Sequence, residues 1–176
     1  YKISLKHGLS QPITPKFGEL AAPVISPDNR HVLYVHSYEG KDSLALANLD
    51  GENFPQKVAQ GADFYMQPVW HPSGKKFAWV EWDHPQMPWD GTRLALSDLE
   101  KTEILAGDED TPVFQPAFSP DGRYLSYISQ DGEWEQLCVY DLDEGKVRTL
   151  ISNATLSMPA WVQGIRMHAW AFDSSH

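Results

Sequence analysis

Three stretches of the chain repeat one order of turn-forming, apolar and polar residues. They superpose without gaps over 12 positions: SPDNRHVLYVHS from Ser26, HPSGKKFAWVEW from His71 and SPDGRYLSYISQ from Ser119. Pro27, Pro72 and Pro120 take the second place, where a fixed φ suits the first corner of a turn. Asn29, Gly74 and Gly122 follow at a place where positive φ is tolerated. Behind each turn runs a β-branched and aromatic stretch, Val32 to Val35, Phe77 to Val80 and Leu125 to Ile128, which predicts a strand. Ahead of the turns, Ala22-Pro23-Val24-Ile25, Gln67-Pro68-Val69-Trp70 and Gln115-Pro116-Ala117-Phe118 predict a matching incoming strand, so each unit begins as a hairpin. A third strand recurs as LALANL from Leu44, LALSDL from Leu94 and LCVYDL from Leu137. A short fourth reads at Gln56 to Ala59, Thr102 to Leu105 and Lys146 to Leu150.

Four antiparallel strands per unit predict the blade of a β-propeller. The turns step by 45 and 48 residues, which suits blades of about 40 to 50. The expected fold is therefore all-β, a partial β-propeller of four-stranded antiparallel blades, three complete and a fourth begun. Its parts would be an N-terminal segment (1–21), blade one (22–62), blade two (63–110), blade three (111–157) and the start of blade four (158–176). In the last of these, Trp170 takes the place of Phe118 and Asp173 that of Asp121. Propellers close with roughly four to eight blades, so three leave unpaired edges. The expectation is a fragment that stays an open arc or associates with another copy through those edges.

Composition narrows the function. Apolar residues make up 41% and seven residues are Trp, enough for a packed core. Fourteen Lys and Arg against 24 Asp and Glu give a net charge of -10, which opposes binding to nucleic acid or an anionic membrane. No apolar run reaches the roughly 20 residues of a membrane helix, and no signal peptide is evident. The single Cys fits a reducing compartment, and a cytoplasmic location is expected.

Regular blades are scaffold, so function is sought where the repeat breaks. Val35 to Leu44 and Ile128 to Leu137 are both nine steps apart, whereas Val80 to Leu94 is 14, an insertion of five residues in blade two. The inserted connection, Glu81 to Arg93, is dense in Trp, His, Asp and Pro. Strand alternation places it at the opposite end of the blade from the Pro-containing turns, beside the connections between blades. Pro159-Ala160-Trp161-Val162-Gln163-Gly164 falls on the same face. Trp82, Asp83, His84, Trp89, Asp90, Arg93, Trp161 and Gln163 are the candidate binding or docking residues. Two readings of the tryptophans stand side by side: they plug gaps between blades, or they shape a rim that contacts a partner domain or peptide.

No catalytic residue, cofactor or metal site is expected. His84 beside Asp83 lacks second and third ligands at a useful spacing. Cys138 aligns with Ala45 and Ala95 and reads as a buried filler. Asp141 aligns with Asp98 and Asn48, a repeated turn at a strand end, and Asp108-Glu109-Asp110 reads as a solvated turn. His31 and His36 fall on opposite faces of one strand. No G-x-S-x-G, H-E-x-x-H, P-loop or G-x-G-x-x-G occurs.

The segment FQPAFSPDGRYLSYIS resembles the Pro-Asp repeat shared by the translocation protein TolB and by propellers of the prolyl oligopeptidase family. The longer segment PVWHPSGKKFAWVEWDHPQMPWDGTRLALSDL, with Ser10-Gln11-Pro12-Ile13-Thr14 and Pro159 to Gly164, is similar to the amino-terminal propeller of acylaminoacyl-peptidase or dipeptidyl-peptidase-like members of that family. The resemblance implies a propeller that precedes an α/β-hydrolase domain, covers its active site and admits short peptides. The Ser, Asp and His of that hydrolase have no counterpart here. Asn29 replaces the usual Gly, Ser73 the usual Asp, and Phe172 the usual Pro. The implied role is a non-catalytic gate and docking domain of a serine peptidase; the rival is a stand-alone TolB-like protein-binding module.

Overall fold

A computed structural model describes residues 1–156 and 163–174. β1 (Lys2–Ile3) and β2 (Ser10–Gln11) pair as a small ribbon. The first four-stranded sheet comprises β3 (Glu19–Ile25), β4 (His31–Tyr38), β5 (Lys41–Asn48) and β6 (Gln56–Ala59). The second comprises β7 (Phe64–Trp70), β8 (Phe77–Trp82), β9 (Arg93–Ser97) and β10 (Thr102–Ala106). The third comprises β11 (Val113–Phe118), β12 (Tyr124–Asp131), β13 (Trp134–Asp141) and β14 (Lys146–Ala154). Each is an antiparallel meander, and the chain is a partial β-propeller. The sequence columns coincide with register: Val35 pairs with Leu44, Val80 with Leu94 and Ile128 with Leu137.

The turn chemistry repeats, and blade two keeps it with other residues. The Ser26 hydroxyl donates to the Asp28 carboxylate at 2.6 Å, and that carboxylate accepts the Arg30 amide at 3.0 Å. Ser119 and Asp121 do the same with the Arg123 amide. In blade two His71 and Ser73 stand in these places: the Ser73 amide donates to His71 Nδ1 at 3.1 Å, and the Lys75 amide reaches Ser73 Oγ at 3.3 Å. The exchange also adds a tie to the next blade, because His71 Nε2 lies 2.8 Å from the carbonyl of Gly122. A side chain at Gly122 would meet the His71 ring at 2.6 Å, so that close approach needs glycine.

Strand alternation gives every blade a leading and a trailing face. Leu33, Val35 and Leu44 on the trailing face of blade one pack on Tyr65, Phe77 and Trp79 of blade two. Ala78, Leu94 and Leu96 of blade two pack on Val113, Leu125 and Tyr127 of blade three. Both interfaces are built from residues at or below 5% exposure, so blade stacking is the core itself. The first strands carry Pro23, Pro68 and Pro116 next to a register shift, where a missing amide does no harm to the ladder. The preceding residues Ala22, Gln67 and Gln115 have φ of 48°, 52° and 58°, one bulge repeated in three blades.

Candidate functional site

The inserted connection of blade two is held by its own carboxylates. Asp83 Oδ1 accepts the Asp63 amide at 3.0 Å, and Asp63 Oδ2 accepts the His84 amide at 2.9 Å, so the loop root is tied to the connection between blades one and two. Arg93 Nη2 donates to Asp83 Oδ2 at 2.7 Å while its Nε lies 3.5 Å from Glu81, whose other oxygen accepts Trp79 Nε1 at 2.7 Å. This chain runs from a fully buried indole to the surface. The Arg93 hydrogen bond holds the Asp83 carboxyl below the usual range. At the tip, Asp90 Oδ2 caps the Met87 amide at 3.0 Å.

The far side of the loop leans on the connection between blades two and three. Thr92 Oγ1 donates to the Val113 carbonyl at 2.6 Å and accepts the Val113 amide at 2.7 Å. What remains outside is a groove of about 500 Å³ lined by Pro85, Gln86, Trp89, Asp90, Glu109 and Asp110, among others. Trp82 does not reach it: it is buried and stacks on Phe64 at 5.1 Å. Trp89 is half-buried at its edge, while His84 and Asp90 are exposed. Trp161 lies outside the described residues. The loop thus joins the connections between blades, at the end opposite the repeated turns.

Gln163 sits elsewhere, against the innermost strand of blade two. Its Oε1 accepts the Gln67 amide at 3.1 Å and its Nε2 donates to the Tyr65 carbonyl at 3.2 Å. It extends a ladder that joins the bulges. Gln67 Oε1 accepts the Gln115 amide, and Gln115 Oε1 accepts the Met167 amide, both at 2.6 Å. Gln67 and Gln115 are 3% and 1% exposed, so these amides have no water to fall back on. Blade one has Ala22 in this column, and Gln163 supplies the acceptor that Ala22 cannot. The repeat displayed Gln67 and Gln115 in register; the signal was their place at the bulge, where a polar side chain can reach the neighbouring backbone.

A serine and a histidine do meet, but not as a nucleophile and its base. Ser126 Oγ lies 2.9 Å from His168 Nε2, yet it is also 3.1 Å from the Ala117 carbonyl and accepts Trp170 Nε1 at 2.9 Å. Trp170 Nε1 also reaches the Ala117 carbonyl, just as Trp70 Nε1 of blade two reaches the Val24 carbonyl of blade one. The cluster is a blade-to-blade joint. Burial, reinforced by Arg166, pushes the His168 pKa down. A base depressed in the folded state contributes its full stability above the unfolded pKa of about 6.5 and loses it as pH falls below that value. Wild type is therefore expected to lose more thermal stability than His168→Gln between pH 7.5 and 5.5, read by paired melting curves. Cys138 is buried beside Thr149, and burial raises its thiol pKa, as befits a filler and not a nucleophile.

No protein-family model matches the chain. Among solved structures it is similar to a puromycin-hydrolyzing peptidase of Mycobacterium tuberculosis, with a TM-score of 0.78 and 26% identity, over 93% of this chain and 28% of that one. It is similar to a puromycin hydrolase at a TM-score of 0.74 and 26% identity, over 89% of this chain and 27% of that one. TolB from Acinetobacter baumannii shares the fold at a TM-score of 0.61 and 20% identity, over 76% of this chain and 32% of that one. The chain spans about 28% of the length of the peptidase it matches. Its structural neighbours are thus puromycin-hydrolyzing peptidases of the prolyl oligopeptidase family and TolB-like propellers, which matches the resemblance carried by its repeats and its Trp-Asp-His-Pro loop.

Proposed function

We propose that this chain is the non-catalytic propeller portion of a larger serine peptidase, docking on an α/β-hydrolase domain and limiting access to its active site to short peptides. The observation that carries this reading is the 26% identity to a puromycin-hydrolyzing peptidase over 93% of this chain, which accounts for only 28% of that protein. Hydrolysis then belongs to residues outside this sequence, in keeping with a loop root where the Asp63 and Asp83 carboxylates are engaged in holding backbone and arginine. The inserted loop of blade two is the docking and gating element. It is rigid at its root, aromatic at its edge, and set among the connections between blades.

The product of the complete reading frame, treated with a fluorophosphonate, is expected to be labelled on one serine within a G-x-S-x-G sequence beyond residue 176, and to release the amino acid from puromycin. A frame with no such serine sinks the peptidase reading. The fold likeness to TolB then favours a stand-alone protein-binding propeller.

A further inference from the structure

The repeat carries a charge pair at one corner of the blade, and blade one lacks its acidic half. In blade three Arg123, just behind the turn, donates from Nη2 and Nε to Asp141 Oδ2 at 2.9 and 3.3 Å. Asp141 closes β13 and is only 6% exposed. In blade two Asp98 holds the same place, within electrostatic reach of Lys76. In blade one the basic residue remains as Arg30, but the acid is replaced by Asn48, whose pairing with His31 matches that of Asp141 with Tyr124. A side-chain amide cannot neutralise a guanidinium, so Arg30 lacks the counter-charge that Arg123 has.

The other groups at this corner add to the imbalance. Arg30, His31 and Lys2 of β1 line one groove of about 440 Å³ together with Asn29, Asn48 and Asp50. None of the three basic side chains makes an ion pair among the described residues. Asp28 attracts Arg30 and His31, yet its carboxylate is occupied by the Ser26 hydroxyl and the Arg30 amide. Its counterpart Asp121 is occupied in the same way in blade three, where Arg123 still pairs with Asp141, so the turn carboxylate does not replace the missing acid. Asp50 lines the groove too, and its Oδ1 accepts the Glu52 amide at 3.0 Å. Three basic side chains thus meet at a groove with one carboxylate, in a chain whose net charge is -10.

We propose that this corner of blade one binds the phosphate group of a small phosphate monoester, which takes the place that Asp141 fills in blade three. There one arginine matches a carboxylate, with Tyr124 in the column of His31. Blade one adds an imidazole and the Lys2 ammonium, and donors from three side chains suit the tetrahedral dianion of a phosphate better than a planar monoanion. The groove has room for a small organic group beside the phosphate. The proposal rests on the charge pattern of the repeat and not on the peptidase reading, since the site lies at the turn end of the blade, opposite the inserted loop.

The test titrates the product of the complete reading frame into inorganic phosphate and follows the linewidth of the phosphorus NMR signal at constant ionic strength. Saturable binding with a Kd of about 1 mM or tighter is expected, with glycerol phosphate competing and acetate not. Asn48→Asp supplies the acid that the other blades carry, so it should fold as they do and weaken phosphate binding by at least about 10-fold. Arg30→Gln, at an exposed side chain, should weaken it as much by removing the guanidinium. Asn153→Asp adds the same charge on blade three and should leave binding unchanged, and melting curves check that each variant is folded. Unchanged binding in either groove variant overturns the proposal, as does an absence of saturation. An equal loss in Asn153→Asp would mark a response to overall charge and overturns it too. Failure of glycerol phosphate to compete, or equal competition by acetate, overturns the assignment to a phosphate monoester.

Discussion

Gln67→Leu is expected to lower the unfolding free energy by about 3 kcal/mol, because it removes the acceptor of one buried amide and a donor to another segment. Gln67 is 3% exposed; its Oε1 accepts the Gln115 amide at 2.6 Å, and its Nε2 reaches the Ile165 carbonyl at 3.5 Å. Leucine has similar volume, so no cavity term enters. The Gln115 amide lies at a bulge with φ of 58° and has left the strand ladder. With the glutamine gone it keeps its desolvation penalty and gains no partner, and that asymmetry sets the size of the effect. For a domain of this length the loss corresponds to a fall of roughly 6 to 12 °C in melting temperature, measurable by calorimetry. A melting temperature unchanged within about 2 °C would mean that the ladder does not hold the blades together.

Gly107→Ala is the second large effect, about 3 to 4 kcal/mol, since it combines an unfavourable backbone region with a collision against main chain. Gly107 has φ of 79°, and a Cβ there would stand 2.0 Å from the Thr92 carbonyl oxygen and 2.7 Å from a Val113 methyl. Both neighbours belong to the clasp that ties the inserted loop to blade three, where Thr92 Oγ1 makes two hydrogen bonds to Val113. The alanine must push the clasp apart or the loop outward. Gly132→Ala separates the two contributions: φ is 65° there, but nothing lies within 4 Å, so only the backbone penalty of about 1 kcal/mol remains. Urea midpoints for the pair, with unchanged slopes, should differ accordingly. Equal midpoints would show that the collision relaxes freely.

The blades were legible because every level of the sequence agreed on them. Proline and glycine fixed the turns, β-branched residues the second strands, and the spacing of Val35, Val80 and Ile128 to their leucine partners the register. In blade two the departure from the usual turn residues did no damage: His71 Nδ1 and Ser73 Oγ, 2.7 Å apart, and the Lys75 amide on Ser73 Oγ rebuild the Ser-Asp hydrogen bonds. Strand ends were less legible. β3 starts at Glu19, ahead of Ala22, and β14 runs on to Ala154, past Leu150, because pairing with β4 and β13 extends both beyond the repeated residues.

The candidate site divides by reach. Asp83 lies in the loop, whereas Trp82 ends β8 and Arg93 opens β9, so the strands reach further into the predicted connection than its residues suggested; the three hold the loop root through Asp63, Glu81 and Phe64, none of which a local motif marks. Gln163 lies at the bulge ladder and not with the groove of Trp89, because its partners are 98 and 96 residues away in sequence. Contacts of that separation follow from how blades wind about an axis, which a repeat announces without showing who faces whom. The groove lined by Trp89 and Asp90 is where the proposed docking would place a partner.

If this loop serves docking and access as proposed, Trp89→Ala in the product of the complete reading frame will impair turnover and leave the fold intact. The expected result is a fall in kcat/KM on short peptides of about 10-fold, the size of a lost contact worth about 1.4 kcal/mol. The melting temperature should stay within about 2 °C of wild type. Unchanged kinetics with a lowered melting temperature would contradict the claim and make Trp89 a plug between blades.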